Sequence, residues 1–512
     1  MARAQPMQTL FGGRFEAALR HSPACVAMTV GAATLSYGAL ERHARDLSAR
    51  LRGVLPDAPP GCPVALLCPC PLTNLIGFLA VQHAGFAHVP VNPRLTEPEL
   101  AQLLMTTGAR LLLSEEPRAV PEGVTSARVI AARGAVLPVF DLPAAPDSAT
   151  WTPAPEDSIG LIISSSGSGG HPKCVRVARG RYAHHIAAQA SACDVRSGDI
   201  FQLVLPLFHG GGLIGVLGAG MAAGATIAAM QPGPFVAEHV LDHLDATGAT
   251  LTHWIPTMLF RVATELETQP RRLDRLRLIY FGSMPMDPAL MERCRGLFPG
   301  KLCQTYGSTE CGLIGTLSPA EIDAGIDASA CILPGQGVRV IDEAGYDVAE
   351  GETGELVVAR DVALISDYAR DPELTARVVR GDLVHSGDLV RLGSGGHFRF
   401  VGRKDAMIVS GGFKVAPSEV EASLARHPDI VEIAVIGTPD PEFGQVVCAV
   451  IRPRAHTCPP LEELRCWAAR QLAPYKLPRR VVCLPALPRT ETGKIAYGQL
   501  NAILASTQAP AV

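Results

Sequence analysis

The sequence predicts an α/β protein with a large amino-terminal domain of several subdomains, built from helix-covered sheets, and a small α+β domain at the carboxyl end. Amphipathic helices alternate with short apolar strands through most of the chain, which is typical of sheets covered by helices. The chain has 512 residues, of which 47% are hydrophobic, so it is too long for one ordinary core but can bury several. After Gly354 the pattern changes to short strands between polar, glycine-rich turns.

Hydrophobic periodicity predicts the amino-terminal elements. A helix begins near Ser36, since apolar residues then recur at three- and four-residue spacing on one face. These residues are Leu40, Ala44, Leu47 and Leu51. Short apolar runs predict strands at residues 64–67, 203–205, 251–255 and 276–281. Several of these runs end at Pro or Gly, which places loops at the carboxyl ends of the strands, where open α/β sheets bind ligands.

An uncharged stretch at residues 210–236 is long enough to raise the question of a membrane span. It is rich in Gly and Ala and poor in Leu, Ile and Phe. The sequence therefore predicts a buried helix, a turn at Gly224 and an inner strand at residues 225–230 instead of a span. The first residues lack the continuous apolar core of a signal peptide, so a cytoplasmic protein is expected.

A smaller domain is predicted to begin after Gly402. Strands at residues 354–358 and 397–401 precede it. Within it, the pattern indicates a turn at Gly411 and Gly412, helices at 417–426 and 461–472, and strands at 433–436 and 446–451. The predicted domains are residues 1–402 and 403–512, with the boundary at 403–405.

The charge and the cysteine content of the chain indicate which partners and which metal or disulfide sites to expect. The formal net charge is -4 and no dense run of Lys and Arg occurs, so a small-molecule partner is favoured over nucleic acid. Fourteen cysteines are scattered without C-x-x-C spacing, and the close pair of Cys68 and Cys70 does not match zinc-ligand spacing. The prediction is reduced thiols that pack as small apolar groups.

The segment LIISSSGSGGHPKCVRV, residues 161–177, joins an apolar strand to serines, glycines and a lysine. Glycines let backbone N–H groups approach oxygens closely, hydroxyls donate hydrogen bonds, and Lys173 supplies a positive charge. The segment is not a Walker loop, because Pro172 precedes the lysine and Cys174 follows it. By itself it fits a phosphate-binding loop and a flexible surface linker equally well.

Seven further motifs decide between these alternatives. In order they are Pro206-Leu-Phe-His209, Tyr306-Gly-Ser-Thr-Glu310, Gly354-Glu-Leu356, Ser386-Gly-Asp-Leu389, Gly402-Arg-Lys-Asp405, Ser410-Gly-Gly412 with Pro417-Ser-Glu-Val-Glu421, and Pro488-Arg-Thr-Glu-Thr-Gly-Lys494. Together with the Ser/Gly segment, the chain resembles the acyl-adenylate-forming superfamily, which includes acyl-CoA synthetases, peptide-synthetase adenylation domains and luciferases. The resemblance implies a large amino-terminal domain and a mobile carboxyl-terminal domain.

The resemblance implies a site for ATP. Glu310 is expected to hold Mg²⁺, whose hard charge suits carboxylate and phosphate oxygens. Thr309 is expected to donate to the α-phosphate, and Tyr306 to stack against adenine. The residues expected around the β- and γ-phosphates are Ser165, Ser166, Gly167, Ser168, Gly170 and Lys173.

Other positions of the family pattern complete the nucleotide site. Asp388 and Arg403 match the positions that bind the ribose hydroxyls, since an aspartate can accept from both hydroxyls at once. Gly282 and Ser283 are expected beside the nucleotide. Lys494 matches the catalytic lysine that bridges the substrate carboxylate and the α-phosphate during adenylation.

The resemblance also implies a second, thioester-forming arrangement of the two domains. Asp405 matches the hinge about which the small domain turns. Gly411 and Gly412 are expected to line the channel for the pantetheine thiol of coenzyme A, because positions without side chains leave it narrow. An ordinary glycine turn is the alternative for this pair.

The acyl pocket is expected around His209, which matches an aromatic or histidine gate in the family. Its walls are predicted from residues 210–213, 253–257, 281–286 and 311–313, with Trp254 closing the far side. An α-amino acid substrate is disfavoured, because His209 occupies the place of the ammonium-binding aspartate of peptide-synthetase domains. Three positions depart from the family pattern, namely Gly169, Cys174 and Gln445, and weaker ATP binding is expected from the lost hydroxyl at Gly169.

Three functions compete at this point. The first is an ATP-dependent acid:CoA ligase that acts through acyl-AMP, as a monomer or homodimer, on a small carboxylic acid. The second is an adenylating enzyme that loads a separate carrier protein or an amine. The third is a nucleotide-binding pseudoenzyme, which the retention of Glu310, Asp388, Arg403 and Lys494 disfavours.

Overall fold

The structure is a computed structural model that describes residues 11, 13–125, 127–133, 139–140, 154–165, 173–284, 286–410, 413–454, 457–489 and 495–507. A π-helix covers Gly211–Gly218 and short 3₁₀ helices cover Ser394–Gly396, Lys404–Ala406 and Pro474–Lys476. The α-helices are α1 (Gly13–His21), α2 (Tyr37–Val54), α3 (Pro71–His83), α4 (Glu97–Thr107), α5 (Arg179–Ala192), α6 (Ala219–Ala223), α7 (Ala237–Thr247), α8 (Pro256–Thr268), α9 (Pro288–Leu297), α10 (Pro319–Asp323), α11 (Pro372–Val378), α12 (Pro417–Leu424), α13 (Leu461–Ala468) and α14 (Tyr497–Thr507).

The strands form three sheets. They are β1 (Val26–Val30), β2 (Ala33–Ser36), β3 (Pro63–Leu67), β4 (Ala87–Pro90), β5 (Leu111–Ser114), β6 (Arg128–Arg133), β7 (Val139–Phe140), β8 (Ile159–Ser165), β9 (Lys173–Ala178), β10 (Ile200–Leu203), β11 (Thr226–Ala229), β12 (Leu251–Trp254), β13 (Leu278–Gly282), β14 (Leu302–Ser308), β15 (Gly312–Leu317), β16 (Ala330–Ile332), β17 (Val338–Ile341), β18 (Thr353–Ala359), β19 (Asp367–Tyr368), β20 (Val379–Arg380), β21 (Leu383–Leu392), β22 (His397–Arg403), β23 (Ile408–Ser410), β24 (Phe413–Val415), β25 (Ile430–Asp440), β26 (Gly444–Pro453) and β27 (Arg480–Cys483).

The largest sheet runs in the order β17-β18-β21-β22-β16-β15-β14-β13-β12-β10-β11-β1-β2, with β20 beside β21. Its centre, from β11 through β10, β12 and β13 to β14, is parallel. Every residue of β12 is buried, and only the first residue of β13 is not. Burial on both faces is expected of parallel strands that are covered by helices, so this region positions the loops at its carboxyl edge rigidly.

The second sheet runs β19-β9-β8-β4-β3-β5-β6-β7. Strands β8 and β9 are antiparallel neighbours, with Ser165 opposite Lys173, so they hold the two ends of the predicted phosphate loop together. Helix α2 contacts the edge of the largest sheet, where Tyr37 Oη donates to the carbonyl of Ala225 at 2.7 Å. The predicted α/β class is confirmed by this arrangement of sheets and covering helices.

Local signals agree with several sequence predictions. Helix α2 begins where predicted, and Ser36 caps it by accepting a hydrogen bond from the Ala39 N–H at 3.2 Å. The apolar face predicted for this helix is buried. The strand predicted at 203–205 lies earlier, at Ile200–Leu203. Hydropathy missed its start because Gln202 is polar, yet that side chain is buried and accepts from Thr252 at 2.8 Å.

The uncharged stretch forms a π-helix, helix α6 and strand β11, as the Gly/Ala composition indicates. Gly224 makes the predicted turn with a φ of 72°, a value that favours glycine. Residues of this stretch are largely buried inside the protein. Across the described ranges, no helix is long and apolar enough to cross a membrane.

The carboxyl-terminal part has its own sheet, ordered β24-β23-β26-β25, with β27 parallel to β26. Helices α12 and α13 contribute to one apolar cluster on this sheet, and α14 to a second. Strand β22 still belongs to the largest sheet, whereas β23 belongs to the small one. The division into domains 1–402 and 403–512 stays a prediction.

The cysteines differ in one respect from the prediction of reduced thiols. Cys458 and Cys483 form a disulfide that ties the segment before α13 to strand β27, so the prediction is wrong for this pair. The two residues are 25 positions apart, and no local spacing signals a pair that only the fold brings together. The other twelve cysteines are free, and most of them are buried.

Candidate active site

Several predicted site residues lie at or just after the carboxyl ends of the central parallel strands. Strand β10 leads into the loop of His209, β13 ends at Gly282 and β14 ends at Ser308, just before Thr309 and Glu310. Parallel strands end at the same edge of a sheet, so these loops share one face of the molecule. The position is the one at which open α/β sheets bind ligands.

The three residues predicted around adenine and ribose are in direct contact. Tyr306 Oη donates a hydrogen bond to Asp388 Oδ2. Arg403 Nη1 donates to Asp388 Oδ1 at 2.8 Å and to the Ser386 carbonyl at 2.7 Å. Asp388 and Arg403 lie opposite each other on β21 and β22, which is why residues fifteen positions apart meet. Both carboxylate oxygens of Asp388 are therefore engaged by partners that fix its orientation.

The aromatic ring of Tyr306 is held from a second side. It packs edge-on against Phe398, with ring centroids 5.0 Å apart. Burial raises the pKa of the Tyr306 hydroxyl, and the neighbouring Asp388 carboxylate raises it further, so the hydroxyl stays a donor. The nucleotide side of the site is thus rigid and already hydrogen-bonded.

Glu310, the predicted metal ligand, is oriented by a residue that the sequence analysis missed. Tyr368 Oη donates to Glu310 Oε1 at 2.7 Å. Burial, followed by the charge of Glu310, raises the pKa of Tyr368, so the phenol remains protonated. Tyr368 lies on β19 opposite Val175 of β9, the strand that follows the Ser/Gly segment. None of the motifs contains Tyr368, and only the pairing of β19 with β9 brings it to Glu310.

Several predicted residues lie outside the described residues. They are Ser166, Gly167, Ser168, Gly169 and Gly170 of the Ser/Gly segment, Gly411, Gly412 and Lys494. For Ser165 the strand is described but the side chain is not. The family departure at Cys174 is described: its side chain is 2% exposed, and burial raises the pKa of its thiol to about 11. It therefore packs into the core as a neutral thiol.

Two of the predicted walls of the acyl pocket include residues of the π-helix and of strand β12. The ring of His209 lies 4.5 Å from that of Phe208, between centroids. A Cβ on Gly212 would lie 2.3 Å from the Pro206 carbonyl oxygen, so the glycine is required for the helix to approach this loop. Gly212 thus lets the π-helix backbone approach the loop that carries His209.

The prediction that Trp254 closes the acyl pocket is wrong. Its side chain is fully buried and packs edge-on against Phe298, 6.2 Å away between ring centroids, in a cluster with helices α7, α8 and α9. Side chains alternate along a strand, so His253 points to the opposite face from Trp254. Its neighbours there are Gly211 and Gly215 of the π-helix.

The residues after β13 take an unusual backbone conformation. A Cβ on Gly282 would lie 2.2 Å from the Thr305 carbonyl oxygen, so only glycine fits between β13 and β14 here. Ser283 has a φ of 72°, in the left-handed region that residues other than glycine rarely adopt. Such strain concentrates at functional sites, which agrees with the prediction that this turn faces the ligand.

The predicted hinge is fixed by charged contacts. Arg403 Nε lies 3.2 Å from Asp405 Oδ1. The adjacent Lys404 donates to Glu355 Oε2 at 2.7 Å, and His385 Nδ1 lies 3.1 Å from the same oxygen. The Glu355 side chain is only 7% exposed, so this contact joins the hinge to a buried carboxylate of the large sheet. The sequence analysis named the Gly354-Glu-Leu356 motif but assigned no partner to it.

The segments on either side of the Lys494 loop are anchored in the small domain. Arg489 and Ile495 form an antiparallel bridge, and the Ala496 N–H donates to the Pro488 carbonyl at 2.8 Å. Tyr497 Oη then donates to Glu421 Oε1 at 3.0 Å. The described residues on the two sides of residues 490–494 are therefore held together.

Comparisons with known proteins agree with the family resemblance of the sequence. The family model described as AMP-binding enzyme matches residues 15–368, and the model described as AMP-binding enzyme C-terminal domain matches residues 419–494. A feruloyl-CoA synthase of Amycolatopsis sp is 32% identical over 94% of this chain and 96% of its own length. An indoleacetate–CoA ligase of Aromatoleum aromaticum is 31% identical over 84% of this chain and 86% of its own.

Solved structures agree in fold. The amide bond synthetase McbA of Marinactinospora thermotolerans is 25% identical, with a TM-score of 0.80, over 93% of this chain and 96% of its own. ATP-bound MatB of Rhodopseudomonas palustris gives a TM-score of 0.85 at 23% identity, over 98% of this chain and 99% of its own. The predicted enzyme class, an AMP-forming acid:CoA ligase, is confirmed by the sequence relatives. Because the first family model alone covers well over half of the residues, the chain belongs to the AMP-binding enzyme family.

Proposed function

We propose that this chain activates a small carboxylic acid with ATP and then transfers the acyl group to coenzyme A. In the first half-reaction a carboxylate oxygen attacks the α-phosphorus of ATP, acyl-AMP forms, and pyrophosphate leaves. In the second, the CoA thiolate attacks the acyl carbonyl carbon, and the bond to AMP breaks. The observation that carries the proposal is the convergence of Tyr306, Asp388 and Arg403 with Glu310 at one edge of the parallel strands.

The nucleotide contacts orient the ATP. Asp388 is held by Tyr306 and Arg403, so its carboxylate presents fixed acceptors to the ribose hydroxyls without reorganisation. The Tyr306 ring supplies a flat surface beside them for adenine. Thr309 follows strand β14 directly and is assigned the hydrogen bond to the α-phosphate. The result is an α-phosphorus held in place for the incoming carboxylate.

Both reactants of the first step are anions, so their charges must be offset. Lys173 lies at the start of β9, at the end of the Ser/Gly segment that is assigned to the β- and γ-phosphates. Lys494 is assigned to the reacting carboxylate and α-phosphate. The Glu310 carboxylate fits Mg²⁺, because it is a hard oxygen donor beside phosphate oxygens and Tyr368 fixes its orientation. That ion supplies further charge neutralisation on the phosphates.

The hinge contacts explain how one site serves two half-reactions. Arg403 binds the ribose side while its neighbour Lys404 contacts Glu355 in the large sheet. Rotation at Asp405 exchanges the loop of Lys494 for the turn of Gly411 and Gly412, which is assigned to the pantetheine channel. Asp405, the assigned hinge, lies two residues after Arg403, which is assigned to the ribose. Motion of the small domain is therefore linked to binding of the nucleotide.

A second function, transfer of the acyl group to an amine or to a carrier protein, has specific support. A fatty acid–[acyl-carrier-protein] ligase of Streptomyces coeruleorubidus is 30% identical over 94% of both chains. The amide bond synthetase McbA is similar in fold at 25% identity. The names of these two proteins point to a carrier protein and an amine as acyl acceptors, so the acceptor is what separates the two functions.

A pyrophosphate-release screen over carboxylic acids tests the proposal, repeated with CoA, with an amine, and with detection of products by mass. Pyrophosphate release together with an acyl-CoA product supports it. If acyl-AMP accumulates in the presence of CoA, the result favours transfer to an amine or a carrier protein over transfer to CoA. Failure of every acid to release pyrophosphate refutes both.

A further inference from the structure

A buried histidine of strand β12 has no hydrogen-bond partner in the part of the chain that the structure describes. Neither Nδ1 nor Nε2 of His253 makes a hydrogen bond there, although the residue is only 5% exposed. Buried polar groups are nearly always paired, and leaving one unpaired costs about 1–3 kcal/mol. An unpaired imidazole therefore leaves hydrogen-bonding capacity unused, and its place in the fold decides whether a ligand could use it.

The surroundings of His253 are those of the acyl side of the site. A Cβ on Gly215 would lie 3.3 Å from His253 Nδ1, and one on Gly211 would lie 3.8 Å from His253 Cε1. Both glycines belong to the π-helix that begins two residues after His209. π-Helices are rare and occur frequently at functional sites. The imidazole thus faces a helix surface without side chains, beside the residue predicted to gate the acyl pocket.

The imidazole of His253 is uncharged. Burial lowers the pKa of His253 to about 4, so the ring is neutral at physiological pH. A neutral imidazole has one N–H donor and one acceptor nitrogen. A hydroxyl group can either donate to the acceptor nitrogen or accept from the N–H, whereas burying an ionised group in this interior would be costly.

We infer that His253 determines the specificity of the acyl pocket by hydrogen-bonding an uncharged hydroxyl group of the carboxylic acid substrate. The inference rests on the proposed function, because it assigns a substrate class to the same site. A pocket that is built to bind a hydroxyl rejects the analogue that lacks it, since the histidine is then left unpaired. The substrate class is therefore a hydroxylated carboxylic acid.

A second buried histidine provides a matched control. His88 on β4 also has both ring nitrogens unpaired within the described residues and is fully buried. It lies in the second sheet, where its ring packs edge-on against Phe78 with centroids 5.0 Å apart. No glycine of the π-helix adjoins it, so its replacement changes a buried histidine without touching the acyl side.

The test measures kcat/KM by pyrophosphate release for matched pairs of acids that differ by one hydroxyl. The pairs are 3-phenylpropenoic acid and its ring-hydroxylated derivatives, and benzoic acid and its ring-hydroxylated derivatives. The wild-type protein is expected to favour the best hydroxylated acid by about 10- to 100-fold. His253→Leu is expected to bring this ratio near one with an unchanged KM for ATP, His253→Gln to keep part of it, and His88→Leu to leave it unchanged.

The outcomes separate this inference from the proposed function. If acids are adenylated but hydroxylation makes no difference, or if His253→Leu keeps the wild-type ratio, the inference is refuted and the ligase assignment stands. If His88→Leu lowers the ratio as much as His253→Leu, the effect is one of general stability and the inference fails. If no acid of any kind releases pyrophosphate, the proposed function fails and the inference fails with it.

Discussion

The nucleotide side and the acyl side of the site differ in how their polar groups are satisfied. On the nucleotide side, Asp388 accepts hydrogen bonds from both Tyr306 and Arg403, and Tyr368 orients Glu310. On the acyl side, the imidazole of His253 is buried without a partner in the described residues. The first region is organised before its ligand arrives, whereas the second leaves a hydrogen-bonding group for the ligand to satisfy.

The difference has a physical reason. ATP is the same in every member of such a family. The fold can therefore fix the side chains that contact it before ATP binds, and folding bears the cost of ordering them. The acid differs between enzymes, and discrimination requires a group whose pairing depends on the correct substrate. A buried unpaired imidazole costs stability in the free protein, and this cost is recovered only when the matching hydroxyl binds.

The largest expected effect is on the reacting centre. Lys494→Ala is expected to slow adenylation by roughly 10²- to 10³-fold, because it removes the charge that offsets the developing negative charge. Thioester formation from supplied acyl-AMP is expected to change little. Separate measurement of pyrophosphate release and of acyl-CoA formation from acyl-AMP checks this. Equal losses in both half-reactions would contradict the assignment of Lys494 to adenylation.

The next effect tests whether the nucleotide side is organised in advance. Asp388→Asn replaces an acceptor oxygen by an amide that must face one of its two donors, Tyr306 or Arg403. The KM for ATP is expected to rise about 10-fold, since a hydrogen bond to a charged group is lost. Steady-state kinetics with ATP varied measures it.

Asp274→Asn is a suitable control for this variant. It removes the charge of an aspartate that pairs with Arg272 on the surface, where both side chains are exposed. Exposed pairs contribute little, so no change in KM is expected. An Asp388→Asn protein with the wild-type KM for ATP would show that the contacts around Asp388 serve the fold alone.

A smaller effect is expected on the acyl side. Gly215→Ala places a Cβ 3.3 Å from His253 Nδ1, a contact that displaces the ring by a few tenths of an ångström. The preference for a hydroxylated acid over its matched analogue is expected to fall about 3- to 5-fold, with the KM for ATP unchanged. Gly296→Ala, in helix α9 where a Cβ meets nothing within 4 Å, is the control. A larger preference in Gly215→Ala would argue against the assigned orientation of His253.

The two sides also differ in how far the sequence predicts them. Tyr306, Asp388 and Arg403 belong to short motifs, so their common site was expected from the family resemblance that these motifs carry. Tyr368 and Lys404 were assigned no contact, because their partners Glu310 and Glu355 are distant in sequence and meet only through strand pairing and the hinge. Contacts between residues distant in the sequence produce no local hydrophobic periodicity, so they cannot be predicted from the sequence pattern.

The acyl side shows the same limit in another form. The sequence analysis placed residues 253–257 in the pocket wall, with Trp254 closing its far side. The alternation of β12 sends Trp254 to the opposite face and leaves His253 toward the π-helix. Hydropathy does not show which side chains of a fully buried strand point to which face, since both of its faces are apolar. The disulfide of Cys458 and Cys483 escaped prediction for a related reason, namely that chain folding alone makes them neighbours.

The smallest effect concerns the anchoring of the Lys494 loop. Tyr497→Phe removes the hydroxyl that donates to Glu421, which also accepts from the Val435 N–H at 2.8 Å. A loss of about 0.5–1 kcal/mol in the free energy of unfolding is expected from one hydrogen bond. Burial raises the pKa of Glu421, and these two donors oppose the rise, so the variant raises that pKa further.

The sign of the pH dependence distinguishes this contact from a purely apolar one. A carboxyl group whose pKa is raised in the folded state contributes stability that is present below its unfolded pKa, about 4.3, and is lost as the pH rises through the folded value. The destabilisation by Tyr497→Phe is therefore expected to be larger at neutral pH than near pH 4, because only the ionised Glu421 needs the lost donor. Denaturant unfolding of the full chain at both pH values measures it, with Tyr346→Phe, at a tyrosine that is 73% exposed, as the control. A pH-independent loss would mean that the Tyr497 hydroxyl acts without regard to the charge of Glu421, and no loss at either pH value would mean that the hydroxyl does not contribute.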